Sequence, residues 1–536
     1  MRLDKRFCAR TAVAAGLVAS AVSVFGLSPV HAQTTPTMPP ASQQGTTVRR
    51  MNIDDAVATA LEQNLDLQVQ RINPQLRDLD IAQFKANYTP NATSSLNMVD
   101  QTQPPSSLLS GNTSQLTTGR STYDFGVNQL IPWIPGGSYQ VLWSNGRTTT
   151  NNIFTQFDPQ LTSNISATYT QPLLRNFKID GVRQQLLVSQ KNREIADVQL
   201  QQSISNTVRS VRNAFYDLMY AIGNLNVQRQ SLELAQRSLK DNRARVEIGT
   251  MAPLDIVQAE AEVATREEAV ILAEAAIERQ QDAVRALVFN PSSADFWTAR
   301  VEPTETVTFQ PTAVDMDGAV RNALSQRTDL AAARKNVEAN DVNIRYFDNQ
   351  SLPDVNASVN YGAQAIGGVG LLRGPSSGLT PGPITGTVER SYWDTLGKVF
   401  AGDFPGWTLS LDISYPIGRS TSESQLARAR LQQSQNQRSL AALELDVATQ
   451  VREAARNVST NAKRVDATRA SRALAEKRLE AEEKKYQAGM TSSFFVLQAQ
   501  RDLNVARNSE LLALVEYAKS VVNFSAVQQA PLQGAP

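Results

Sequence analysis

Two periodicities divide the chain. Ile204, Val211, Leu218, Leu225, Leu232, Leu239 and Val246 recur every seven residues, with Val208, Phe215 and Ile222 at the companion seam. A sustained 3.5-residue repeat predicts helices packed as coiled coils, not a single face laid on a globule. The pattern returns at Ile256, Val263, Val270, Ile277 and Val284. It appears again at Val451, Val458, Val465, Leu479 and Tyr486, and at Val496, Leu503, Tyr517 and Phe524. No proline falls between Gly181 and Ala252 or between Ile417 and Ala530. The first of these stretches predicts a helix from about Asp180 to Val246, roughly 100 Å long at ~1.5 Å per residue.

Four short stretches alternate with period two instead. Leu161, Ser163, Ile165, Ala167 and Tyr169 oppose Thr162, Asn164, Ser166 and Thr168. Trp407, Leu409, Leu411, Ile413 and Tyr415 oppose Thr408, Ser410, Asp412 and Ser414; Val355, Ala357, Val359 and Tyr361 oppose Asn356, Ser358 and Asn360. A weaker fourth runs from about Ala92 to Val99, and residues 123–148 offer an additional hairpin around Pro135-Gly136-Gly137. Such segments fit the strands of an outer-membrane barrel; they also fit the half-exposed sheet of a soluble protein, which taken alone is the commoner source of the pattern. The flanking helices are too long to fold back over a small sheet. Four strands cannot close a barrel, which needs about eight. A barrel built from this chain is therefore shared between copies of it.

The chain repeats itself. Ile53-Asp54-Asp55-Ala56-Val57 matches Met316-Asp317-Gly318-Ala319-Val320, and the register continues through Asp66-Leu67 on Asp329-Leu330, Ile81 on Ile344 and Pro90 on Pro353. At a second offset, Gly249 falls on Gly489, Gln258-Ala259 on Gln498-Ala499, and Leu272-Ala273 on Leu512-Ala513. Each half reads as short helix, helix, β segment, very long helix, glycine turn, helix. Gly249 and Gly489 stand where a left-handed cap would end each long helix, and Pro253 suits the first turn of the returning one. Shorter helices are expected at 53–62 and 66–87, with Asp66 capping the second and Pro74 as a possible kink. The expected division is a first repeat at 51–290, a linker at 291–314 and a second repeat at 315–527. Residues 33–50 and 528–536 read as disordered.

Arg2, Lys5, Arg6 and Arg10 precede an apolar run from Thr11 to Leu27, and Val30-His31-Ala32 offers a small-x-small cleavage site. Residues 1–32 therefore read as a signal peptide. Their removal takes four basic residues and one acidic residue from a formal charge of +1 and leaves −2. It also takes Cys8 and His31, the only cysteine and histidine. A mature chain without either has no disulfide, no thiolate or imidazole metal site and no Ser-His or Cys-His pair. No catalytic residue, cofactor or metal is expected, and near-neutral charge excludes a nucleic-acid footprint. Beyond residue 32 no apolar run approaches the length of a spanning helix.

In its two repeats, its Ala60-Leu61…Asn64 start repeated at Ala323-Leu324, its Gln171-Pro172-Leu173-Leu174 strand exit and its tips Ile248-Gly249-Thr250 and Ala488-Gly489-Met490, the sequence resembles the TolC-like outer membrane efflux protein family. The resemblance covers about residues 52–527. It implies a mainly α fold with β: a long antiparallel coiled-coil helical barrel under a transmembrane β-barrel shared by a homotrimer, twelve strands in all, four from each chain. It implies an exit duct in the cell outer membrane with a periplasmic extension, serving a tripartite efflux or type I secretion system. The partners would be outer-membrane lipid, an inner-membrane transporter and a periplasmic adaptor (membrane fusion protein) docking near Ile248, Gly249, Thr250, Ala488, Gly489 and Met490. Of the family's gate positions, Asp255 matches the acidic residue after the first tip and Tyr486 the tyrosine before the second. Thr491, Phe495 and Gln498 stand where arginine and two acidic residues are expected, so the periplasmic gate is expected to rely on an apolar constriction at Phe494 and Phe495. The alternative is a periplasmic coiled-coil scaffold with no channel.

Overall fold

Asn52 opens the first helix through a capping box: its side chain accepts the Asp55 amide, and the Asp55 carboxylate accepts the Asn52 amide. In the computed structural model, which describes residues 48–105, 114–293, 296–311, 313–376, 381–418 and 420–529, that helix is α1 (Ile53–Gln63). It follows strand β1 (Val48–Met51) and precedes α2 (Leu65–Ala86). Strands β2 (Asn91–Gln103), β3 (Leu116–Leu130), β4 (Ser138–Thr150) and β5 (Phe157–Pro172) lead into α3 (Gly181–Glu247) and α4 (Pro253–Val288). After β6 (Arg300–Pro303), the second half runs α5 (Met316–Gln326), α6 (Thr328–Gln350), β7 (Asp354–Arg373), β8 (Ile384–Arg390), α7 (Tyr392–Ala401), β9 (Pro405–Ser414), α8 (Thr421–Gln487) and α9 (Ser493–Gln528). The expected signal peptide at 1–32, the leading segment up to residue 47 and the tail from residue 530 lie outside the described residues.

Helix lengths match between the halves. α1 and α5 have 11 residues each, α3 and α8 have 67, and α4 and α9 have 36. The shorter helices stack end to end. Asn64, at the start of α2, donates its Nδ2 to the Leu287 carbonyl at the end of α4 (2.9 Å), and Gln529, past the end of α9, donates its Nε2 to Thr328 Oγ1 at the start of α6 (2.9 Å). The helices thus form four columns in the order α4 with α2, α3, α9 with α6, and α8.

The heptad seams are buried where the periodicity places them. Val208, Val211, Phe215 and Leu218 of α3 meet Ile277, Val284 and Val288 of α4 and Ala56, Val57 and Ala60 of α1. Each fully buried large side chain there contributes about 1.5–3 kcal/mol. The linker docks onto this core. Gln281 holds Val301 by both of its backbone groups (2.7 and 2.9 Å), and β6 pairs in parallel with β1.

The sheet departs from expectation. It has seven strands, not four, in the order β2-β3-β4-β5-β7-β8, with β9 also on β7. β8 and β9 take the same edge of β7, opposite its upper and lower parts, so the sheet is six strands wide. The optional hairpin has formed as β3 and β4, because its alternation continues that of its neighbours residue for residue. Three smaller expectations are corrected. Val48 to Arg50 are strand, since β6 supplies their partner. Asn64, not Asp66, caps α2: the helix already begins at Leu65, so Asn64 is the extended residue whose side chain accepts the Leu67 amide (3.0 Å), and Asp66 lies inside the first turn. Gln528 still belongs to α9.

Candidate functional site

The two hairpin tips are built alike. At the first, the Thr250 amide reaches back to the Arg245 carbonyl and the Gly249 amide to Val246; at the second, the Met490 amide reaches Lys485 and the Gly489 amide reaches Tyr486. These paired bonds close a Schellman cap, which needs a left-handed residue. Gly249 (φ +79°) and Gly489 (φ +74°) supply it. Pro253 starts α4, where a missing N–H costs nothing. The expected tip residues Ile248, Gly249, Thr250, Ala488, Gly489 and Met490 are all exposed, Ile248 and Met490 by more than 70%.

Behind the tips the hairpins of the two halves are tied by polar groups. Tyr486 of α8 donates its hydroxyl to Asn242 Oδ1 of α3 (3.1 Å), while the Arg245 guanidinium lies 4.4 Å over its ring. Burial raises the Tyr486 phenol above its usual range, against the pull of Arg245. Ser493 of α9 donates to Asp255 Oδ1 of α4 (3.0 Å). Asp255 and Tyr486 thus both bridge one hairpin to the other. Phe494 and Phe495 stack edge to face 5.6 Å apart and are more than half exposed, outside the seam that buries Val496 and Leu497.

Two turns deeper, Glu262 of α4 is buried and clamped by two arginines. Arg266, on the same helix, reaches Oε1 (2.6 Å), and Arg501 of α9 reaches Oε2 through Nη2 and Nε (2.6 and 2.9 Å). Burial would raise its carboxyl, but the Arg501 and Arg266 guanidiniums outweigh that and hold it below the ordinary value. Farther along, Lys519 pairs with Asp217 (2.9 Å), Tyr220 with Asn508 (3.1 Å), and Asn504 with Gln228 and Ser231 (3.2 and 3.1 Å). The sequence reading missed Asn242, Glu262, Ser493 and Arg501. Arg266 four residues after Glu262 was visible as a helical pair. The partners on other helices were not, because one helix's period does not set its axial register against a neighbour.

At the other end of the helices the sheet has two chemically different faces. Leu96 and Met98 (β2), Phe125 and Val127 (β3), Val141 (β4), Val359 and Tyr361 (β7) and Leu409, Leu411 and Ile413 (β9) share one face, and all are exposed. The opposite face is mainly polar and bonded across strands. Asp124 accepts from Ser95 (3.0 Å) and Ser144, Asn360 donates to Thr168 (2.6 Å), and Ser358 meets Ser410 (2.6 Å). Asn145 and Ser163, polar residues on the apolar side, are buried and satisfied by each other (2.8 Å), by Trp143 (3.1 Å) and by Tyr392 at the start of α7 (3.1 Å). One apolar face and one polar face, with buried polar groups paired, is the pattern that strands of a lipid-facing barrel wall need. No helix among the described residues is long and apolar enough to cross a membrane, and the described residues contain no cluster of metal-ligating side chains.

Comparison with known proteins agrees with this geometry. The family profile described as outer membrane efflux protein matches residues 56–288 and 319–527. Among solved structures, the CmeC outer membrane channel of Campylobacter jejuni is similar with a TM-score of 0.65 at 13% identity, over 90% of this chain and 87% of that one. Structures of CusC give 0.64 at 14%, over 89% and 92%. The outer membrane protein VceC of Vibrio cholerae gives 0.61 at 15%, over 89% and 95%. No curated protein sequence matches the chain.

Proposed function

The chain belongs to the outer membrane efflux protein family, and from that premise we propose that three copies form the exit duct of a tripartite efflux or type I secretion system. It resides in the outer membrane with a periplasmic extension. In this reading the two-faced sheets join into one barrel, the helix columns wall a tunnel beneath it, and substrates pass without chemistry on energy supplied by an inner-membrane transporter. The tips at Ile248, Gly249, Thr250, Ala488, Gly489 and Met490 receive a periplasmic adaptor. Asp255, Tyr486, Phe494 and Phe495 form the gate beside them. The polar ties at Asp255 and Tyr486 hold the two hairpins of a chain together, and the exposed phenylalanine pair narrows the passage.

One observation carries the reading: the exposed apolar face of the sheet backs onto a polar, hydrogen-bonded one, at the far end of helices roughly 100 Å long. A periplasmic scaffold has no use for such a face, which water would penalise. The test is fractionation with crosslinking. Full-length protein carrying a photoreactive residue at Ile248 or Met490 is expected in the outer-membrane fraction as a heat-modifiable trimer, crosslinked to a periplasmic adaptor. Recovery as a freely soluble periplasmic protein would overturn the proposal.

A further inference from the structure

The helix layer and the sheet are open on the same two sides. α2 runs into β2 and β9 into α8, so the outer helix columns lie in line with the outer strands. Both sides lack strand or helix partners among the described residues. All residues of β2 are exposed, and β9 is exposed at nine of its ten. α2 shows an uncovered apolar stripe at Val69, Ile72, Leu76 and Leu79. An uncapped sheet edge is a template for another strand. β2 and β9 run in opposite directions because the sheet is antiparallel throughout and an even number of strands wide. Their apolar residues face the same side, so one edge can add to the other without turning either face over.

We propose that each copy contributes six strand positions to the shared barrel, β2 of one copy pairing with β9 of the next, so that a trimer closes on eighteen strands. The proposal rests on the channel reading above. The width of the two layers supports it. Strands ~4.8 Å apart and tilted by ~40° each take about 6 Å of circumference. Four would span about 25 Å per copy, and six about 38 Å. Four helix columns packed ~8–10 Å apart span about 32–40 Å. Six strands match the helix layer beneath them, and four fall short. The match holds for any number of copies, because both layers close through the same ones.

The hairpin β3–β4 therefore belongs to the wall, not the lumen. Its residues continue both faces: Tyr123, Phe125, Val127, Val141 and Trp143 on the apolar side, Asp124 and Ser144 on the polar side. Its turn sits at the helix end of the sheet, where Arg183 of α3 donates to the Pro132 carbonyl (2.9 Å) and Gln171 to Pro135 (2.9 Å).

The test counts strands in the full protein, by electron cryomicroscopy of the complex in lipid nanodiscs. Eighteen strands are expected. Twelve, with residues 116–150 outside the wall, would overturn this inference and leave the channel reading standing. A barrel closed within one copy, or no barrel, would overturn both. Cysteine pairs give an independent readout, since Cys8 is the only native cysteine. Thr93→Cys or Asn97→Cys, scanned against Thr408→Cys and Ser410→Cys, should link neighbouring copies into covalent ladders. The same β2 positions scanned against Thr162→Cys, Asn164→Cys and Ser166→Cys should not link, because three strand spacings of ~4.8 Å exceed disulfide reach. Linkage of β2 to β5 within one copy would show that the hairpin has left the wall and would overturn the inference.

Discussion

Glu262 and Arg501 lie on the returning helices of opposite halves and meet through two hydrogen bonds, 2.6 and 2.9 Å, to one carboxylate oxygen. At the repeat's own offset, Glu262 corresponds to Asp502, which pairs with Arg478 of α8 instead (2.7 Å). One acidic position thus serves two purposes: across the halves in the first repeat, and within a hairpin in the second. The cross-half clamp is a charge-assisted tie, because Glu262 is buried and both its partners are charged.

Arg501→Leu leaves Glu262 with Arg266 alone. Losing hydrogen bonds to a charged, buried carboxylate should cost about 1.5–3 kcal/mol. Hydrogen exchange should quicken near the tips in α4 and α9 and remain unchanged around Phe215. Uniform loosening of all the long helices would contradict the assignment.

Acid should act through the same carboxyl. Glu262 titrates below its ordinary value of 4.5 in the folded chain. The clamp therefore contributes fully above the unfolded value and is lost as pH falls through the lower folded one. The clamp's contribution should be flat from about pH 7 to ~5 and fall only in stronger acid. Glu262→Gln should remove that acid limb, as read by tip hydrogen exchange against pH.

Gly489→Val forces a β-branched residue into left-handed backbone, at a cost of about 1–3 kcal/mol. Apart from its two chain neighbours, nothing lies within 4 Å of an added Cβ there, so the penalty is conformational and not a clash with packed elements. Gly489→Asn should recover much of the loss, and Gly249 should behave alike. Equal melting and tip exchange for valine and asparagine variants would contradict this account.

The two faces of β9 should respond oppositely to charge. Leu411→Arg on the apolar face should cost about 2–4 kcal/mol if it sits near the bilayer midplane. Ser410→Arg, one residue away on the polar face, should assemble normally. The measurement is the yield of trimer folded into lipid vesicles.

Much of this was legible in the sequence because period carries it. The proline-free stretch from Gly181 together with the seven-residue spacing from Ile204 to Val246 set α3 within a residue or two, and Gly249 and Gly489 marked both turns. The alternation of Leu161 to Tyr169 marked β5 and its faces. What escaped depends on distant partners. β1 is a strand only because β6, some 250 residues away, pairs with it. The β3–β4 hairpin carried its signal openly, but whether it joins the wall is a question of neighbours. The ties of Asp255 to Ser493 and Tyr486 to Asn242 depend on how four helices stagger. The exposure of Phe494 and Phe495 is likewise invisible to periodicity, which places an aromatic at a seam as readily as beside it.

The central claim is that copies of this chain enclose a water-filled passage through a membrane. Purified protein added to a planar lipid bilayer addresses it most directly. Ion current should appear in discrete steps only with the assembled trimer, and disappear with Leu411→Arg, which blocks entry into lipid. A trimer that inserts yet passes no ions, or a monomer that gives the same steps, would contradict the account.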